Sequence, residues 1–163
     1  MKFGSLKTQG SWDGQLAVIS RDNSKFVKVP DIAPSFREAI EDWANCKDRL
    51  KKVYEDLNNG KIEGEAMNEK LFHSPLPRAF QWADGSAFLH HVKLVRMSRN
   101  AEMPERLYEV PLMYQGSGDN FLAPDDDIPQ IDFSHGTDFE GEVGVITDFV
   151  PMGISAEEAL KKI

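Results

Sequence analysis

The chain has 163 residues, 40% hydrophobic and 28% charged, the make-up of a folded protein of one or two small domains and not of a disordered or collagen-like chain. Its 19 Lys and Arg against 27 Asp and Glu give a formal net charge of -8, a field that repels phosphate backbones and anionic lipid headgroups, so neither nucleic acid nor a membrane surface is an expected partner. The lone cysteine, Cys46, excludes an internal disulfide, and with no signal-like N-terminus and no long apolar stretch the expected compartment is the cytoplasm.

Residues 1–30 carry β signals. The apolar runs Leu16-Ala17-Val18-Ile19 and Phe26-Val27-Lys28-Val29 flank the turn-forming Ser20-Arg21-Asp22-Asn23-Ser24, which predicts a small antiparallel meander. An earlier turn is expected at Gly10-Ser11-Trp12-Asp13-Gly14. A long helix is predicted over residues 35–58. Ser35 and Glu38 form a capping-box pattern, Phe36, Ile40, Trp43, Cys46, Leu50, Val53, Tyr54 and Leu57 make one apolar stripe, and Asn58-Asn59-Gly60 suits its end.

The prolines of Ser74-Pro75-Leu76-Pro77 predict an extended connector, and a domain boundary is expected near residue 70, dividing residues 1–70 from 71–163. Short apolar segments over residues 87–95, 107–113 and 139–146, separated by Gly, Pro and Asp, read as strands, so the expected class is α+β and mainly β. Ser155 and Glu158 open a second capped helix that meets the chain end after about two turns.

Three clusters could carry chemistry. In residues 139–147 a strand alternation puts Glu140 and Glu142 on one face, about 7 Å apart at Cα, where their oxygens could share a hard cation or simply meet solvent. Asp84 with His90 and His91 offers a carboxylate and a general base, or a turn and a packing residue. Tyr114, entering the loop Gln115-Gly116-Ser117-Gly118, could donate a hydroxyl to a ligand or pack. Asp125-Asp126-Asp127 lacks calcium-loop spacing and reads as a solvated turn.

In this order the segments resemble the fumarylacetoacetate hydrolase family: Trp82-Ala83-Asp84 with His91 seven residues on, Val110-Pro111-Leu112-Met113-Tyr114-Gln115-Gly116, Asp138-Phe139-Glu140-Gly141-Glu142-Val143-Gly144-Val145-Ile146, and Val150-Pro151-Met152-Gly153 before the opening helix. Residues 1–70 are similar to the small N-terminal β domain, a meander or barrel with a long helix, that many members carry. The resemblance implies that the rest begins a mixed β-sandwich roll and that the activity is hydrolysis of a carbon-carbon bond in a fumarylacetoacetate-like or acylpyruvate-like 1,3-dicarbonyl acid. Decarboxylation, hydration or isomerisation of a 2-oxo acid is the same-family alternative, and a non-catalytic β-rich module without metal is the alternative outside it.

By the same resemblance Asp84, Glu140 and Glu142 are ligands of Mg²⁺, with Mn²⁺ or Ca²⁺ as alternatives, and His91 is the base that activates water, with His90 as its substitute if the register slips. Tyr114 and Arg99 would bind substrate oxygens, and homodimerisation is implied. Family members extend past the position of Ile163 and place a fourth ligand there, so the chain resembles an N-terminal portion. Weak cation binding and slight or no hydrolysis are the expectation.

Overall fold

The computed structural model describes residues 1–163, in two compact units: residues 1–78 with 121–163, and residues 79–120. The fold is α+β, with its architecture carried by two antiparallel sheets. No helix is long and apolar enough to cross a membrane.

In the first unit, β1 (Lys2–Thr8), β2 (Ser11–Ile19), β3 (Lys25–Lys28) and β4 (Glu65–Ala66) pair in that order, so the expected meander forms and gains a fourth strand. The chain after β4 returns to the free edge of β1, where Phe72 bridges Leu6, His73 N–H donates to the Ser5 carbonyl at 2.8 Å, and Ser5 Oγ donates to the Pro75 carbonyl at 2.7 Å. Both edges of β1 are thereby occupied.

The first turn differs from expectation. It falls at Gln9-Gly10, and Trp12-Asp13-Gly14 lies inside β2 as a bulge, where the register slips between Leu6 and Thr8. Gly14 makes the bulge possible. Its φ is +67°, and a Cβ there would stand 2.6 Å from the Leu6 carbonyl oxygen. The bulge leaves Trp12 76% exposed and turns Asp13 inward to a buried position.

The predicted long helix is two helices, α1 (Phe36–Glu41) and α2 (Trp43–Asn58), broken at Asp42 with φ -117° and ψ 38°. The break lets two rings meet Phe3: Phe36 stacks on it at 5.1 Å between centroids and Trp43 meets it edge-on at 6.0 Å. The start is as predicted, with Ser35 Oγ accepting the Glu38 N–H at 3.2 Å and donating to the Glu38 carboxylate at 2.7 Å. The end is a Schellman closure, in which Gly60 N–H reaches the Leu57 carbonyl and Lys61 N–H reaches that of Asp56. The stripe packs as its spacing demands: Phe36, Cys46 and Leu50 are buried with Leu16 and Val18 of β2 and with Val29 just after β3, and Val53 and Tyr54 pack against this core. Burial pushes the Cys46 thiol up from its ordinary pKa, which keeps it protonated and inert.

Of the three segments read as strands, two are not strands, and residues 107–113 are strand only at Leu112 and Met113, because Glu105–Tyr108 forms a short 3-10 turn. Residues 87–95 fall mostly in a helix, α3 (Leu89–Ser98), closed by a second Schellman pair through Asn100 and Ala101. A short apolar run does not by itself separate the two periods, and here Leu, Lys, Arg and Met favour the helix. Residues 139–147 form no ladder, because an alternating pattern becomes a strand only where a partner supplies backbone hydrogen bonds. Near the end, α4 (Ala156–Leu160) starts at Ser155 as predicted, with Ser155 Oγ accepting the Glu158 N–H at 3.2 Å.

Candidate active site

The second unit is built on a hairpin-like pair, β5 (Trp82–Ser86) and β6 (Leu112–Gly116), antiparallel with Trp82 opposite Gly116 and Asp84 opposite Tyr114. Alternation sends Trp82, Asp84 and Ser86 to one half-buried face while Ala83 and Gly85 are exposed. Directly opposed side chains on paired strands touch, so this register brings a carboxylate and a phenol together. Tyr114 Oη donates to Asp84 Oδ2 at 2.9 Å.

The indole of Trp82 packs beside the Tyr114 ring, 5.8 Å between centroids and tilted by 59°. Gly116 makes room for it: a Cβ there would lie 2.3 Å from the Trp82 ring. The hydroxyl uses only part of the Asp84 carboxylate, which keeps lone pairs for another donor or a cation. Sequence reasoning named both residues and did not connect them. The missing signal was non-local, the register between strands some 30 residues apart.

A two-residue link, Ala87-Phe88, joins β5 to α3 and puts His90 and His91 in the first turn of the helix, both exposed, with Val92 behind them as the buried anchor. Adjacent helical residues project about 100° apart, so the two imidazoles face different directions and only one can serve a given point. Arg99 is the C-cap of α3 and is exposed, its own N–H closing on the Arg96 carbonyl at 3.1 Å.

In the first unit Glu140 and Glu142 are exposed on the irregular segment between Asp138, whose carboxylate accepts the Phe139 N–H at 2.8 Å, and Asp148, whose N–H donates to the Lys162 carbonyl at 3.0 Å. Asp125 and Asp126 sit in a solvated turn, where Asp126 accepts the Ala123 N–H and Lys7 Nζ stands 3.7 Å from each carboxylate.

The donor chemistry of Asp84, Glu140 and Glu142 fits a hard divalent cation, since all three offer carboxylate oxygen and no sulfur or aromatic nitrogen. No three His, Cys, Asp or Glu side chains are gathered into a set that could hold a metal ion. The structure thus brings Asp84 and Tyr114 together and assembles no complete ligand set.

An ionic cluster that sequence reasoning missed lies behind the β2 bulge. Asp13 accepts from Arg78 Nε at 2.8 Å, from its terminal nitrogen at 2.7 Å, and from Arg37 Nε at 3.1 Å, while Arg37 also pairs with Glu41. The Arg78 guanidinium is the main reason the Asp13 carboxyl sits below its ordinary 3.8, against the opposing effect of burial and with Arg37 adding to it. No local motif marks it, because the partners lie 24 and 65 residues away in sequence.

Two family models match the chain: fumarylacetoacetase N-terminal domain 2 over residues 1–78, and fumarylacetoacetate (FAA) hydrolase C-terminal over residues 81–163. No curated protein matches it.

Proposed function

Because the chain belongs to the fumarylacetoacetate hydrolase family, whose domains are those of hydrolases, isomerases and decarboxylases and generally bind a divalent metal, we propose that it serves metal-dependent hydrolysis of the carbon-carbon bond of an acylpyruvate-like 1,3-dicarbonyl acid. The observation that carries the reading is the Tyr114–Asp84 hydrogen bond, a phenol held on the carboxylate that the family motif marks as a ligand.

Asp84, Glu140 and Glu142 would hold the cation, Mg²⁺ in the first place and Mn²⁺ or Ca²⁺ as alternatives. When bound, it supplies Lewis-acid polarisation of the two oxo groups and charge to match the negative charge that develops on them. His91 takes a proton from water, so that oxygen attacks the outer carbonyl; the carbon-carbon bond breaks, and the same proton returns to the departing carbon. His90 is the alternative base. Tyr114, whose one O–H rests on Asp84, turns it to a substrate oxygen once the cation takes up the carboxylate, and Arg99 offers a guanidinium to the substrate carboxylate.

The test is calorimetric titration of Mg²⁺ and Mn²⁺ into the chain, with and without oxalate as a mimic of the chelating 2-oxo acid. Cation binding strengthened by oxalate, and lost in Asp84→Ala and Glu142→Ala, is the expected result. The second reading is a non-catalytic β-rich module without metal. Cation affinity unchanged in both variants would overturn the site assignment of the first reading.

A further inference from the structure

Across the pair of β5 and β6, Gly116 stands opposite Trp82 and Tyr114 opposite Asp84, so the two aromatic residues are diagonal neighbours on the face that carries the carboxylate. The backbone does not call for a glycine at 116. Positive φ is found at Gly10, Gly14, Gly60, Gly136 and Gly153 and not at Gly116, so alanine would fit its conformation. What the missing side chain leaves is room: a Cβ would stand 2.3 Å from Cε3 and 2.4 Å from Cζ3 of the indole. The indole lies across the glycine, and from that place its ring meets the Tyr114 ring at 5.8 Å.

Tyr114 is 56% exposed, so burial does not select among its staggered rotamers. Its hydroxyl donates to Asp84 Oδ2 at 2.9 Å, but a hydrogen bond at an exposed pair competes with water and holds a rotamer only weakly. The indole adds a contact at the other end of the side chain, against the ring itself.

We propose that Trp82 is a positioning residue: lodged in the space that Gly116 leaves, it holds Tyr114 in the rotamer that sets the hydroxyl on Asp84. What this does for a bound cation and substrate rests on the function proposed above for Asp84 and Tyr114, whereas the rotamer is a property of the metal-free chain. The other face of the same pair supplies a matched control, because Met113 crosses Gly85, where a Cβ would stand 2.9 Å from its sulfur.

The test reads, by NMR of the labelled metal-free chain, the three-bond couplings from the backbone nitrogen and carbonyl carbon of Tyr114 to its Cγ, which report the χ1 populations. A single rotamer is expected in the wild type, in Trp82→Phe and in Gly85→Ala. Averaging over rotamers is expected in Trp82→Leu, and in Gly116→Ala, which keeps the indole but denies it its place. Oxalate-assisted Mg²⁺ affinity should fall roughly threefold in Trp82→Leu and not change when the same substitution is made in Tyr114→Phe, because the indole acts through the hydroxyl. A single rotamer retained in Trp82→Leu would overturn the proposal, and one retained in Gly116→Ala would overturn the part given to the glycine. Averaging in Gly85→Ala equal to that in Gly116→Ala would also overturn it, by assigning the effect to strand pairing at large. Equal losses of affinity in the two backgrounds would overturn the action through Tyr114. Mg²⁺ binding indifferent to Asp84→Ala would instead overturn the proposed function, and the couplings would still decide what places Tyr114.

Discussion

Asp13 shows how one residue can depend on a backbone accident for its role. The bulge at Gly14 turns its carboxylate inward, where two arginines from distant parts of the chain satisfy it. Asp13→Asn keeps the shape and removes the charge, and it should cost about 1–3 kcal/mol in urea unfolding near neutral pH. The pH dependence has a definite sign. The native carboxyl lies below its ordinary 3.8, so its contribution is fully present above about pH 5 and is lost as pH falls through the native value. The stability difference between wild type and Asp13→Asn should therefore be flat above about pH 5 and shrink below about pH 4. A difference that grows on acidification would contradict the assignment.

At the same scale, Tyr114→Phe removes the hydrogen bond to Asp84 at an exposed pair and should change stability by less than about 0.5 kcal/mol. It should still weaken oxalate-assisted cation binding, because the carboxylate loses the group that orients it. Asp84, His91 and Tyr114 were legible as chemical types in the sequence. Their mutual geometry was not, because it is set by strand register and by the helix that replaces a predicted strand after Phe88.

Among the elements, the helix ends marked by local capping residues are the part that formed as read. The Ser35–Glu38 box, the Asn58-Asn59-Gly60 end and the Ser155–Glu158 start each involve residues within a few positions, so their hydrogen bonds are encoded where they occur. The helix break at Asp42 is answerable to Phe3 across the core, and no local signal carries it. Ser35→Ala should cost about 1 kcal/mol by loss of the cap. Gly14→Ala should cost more than about 2 kcal/mol, because it places a side chain at positive φ against the Leu6 carbonyl. Equal losses in the two variants, read by thermal unfolding, would argue against the bulge.

Residues 139–147 are the opposite case. Phe139 and Val143 are 91% and 94% exposed, and the pattern is that of a strand with no ladder to join. Amides of this segment should exchange with solvent fast, while those of β1 and β2 are protected by pairing on both sides. Protection over residues 139–147 comparable to that of β2 would show that the segment is paired in solution.

For the whole molecule, the two family matches meet between residues 78 and 81, at the change from the first unit to the second. The apolar residues of the first 78 positions are mostly committed to two buried clusters, whereas Ile131, Phe133, Phe149 and Met152 are largely exposed. The central proposal is that Asp84, Glu140 and Glu142 serve one cation.

Paramagnetic broadening by Mn²⁺ tests that most directly, because it reports which amides lie near one ion. Substoichiometric Mn²⁺ in the presence of oxalate should broaden the signals around Asp84, Glu140 and Glu142 together, with Glu142→Ala abolishing the effect at all three. Broadening confined to one of the two segments, or spread over surface carboxylates such as Asp125 and Asp126, would contradict a shared site.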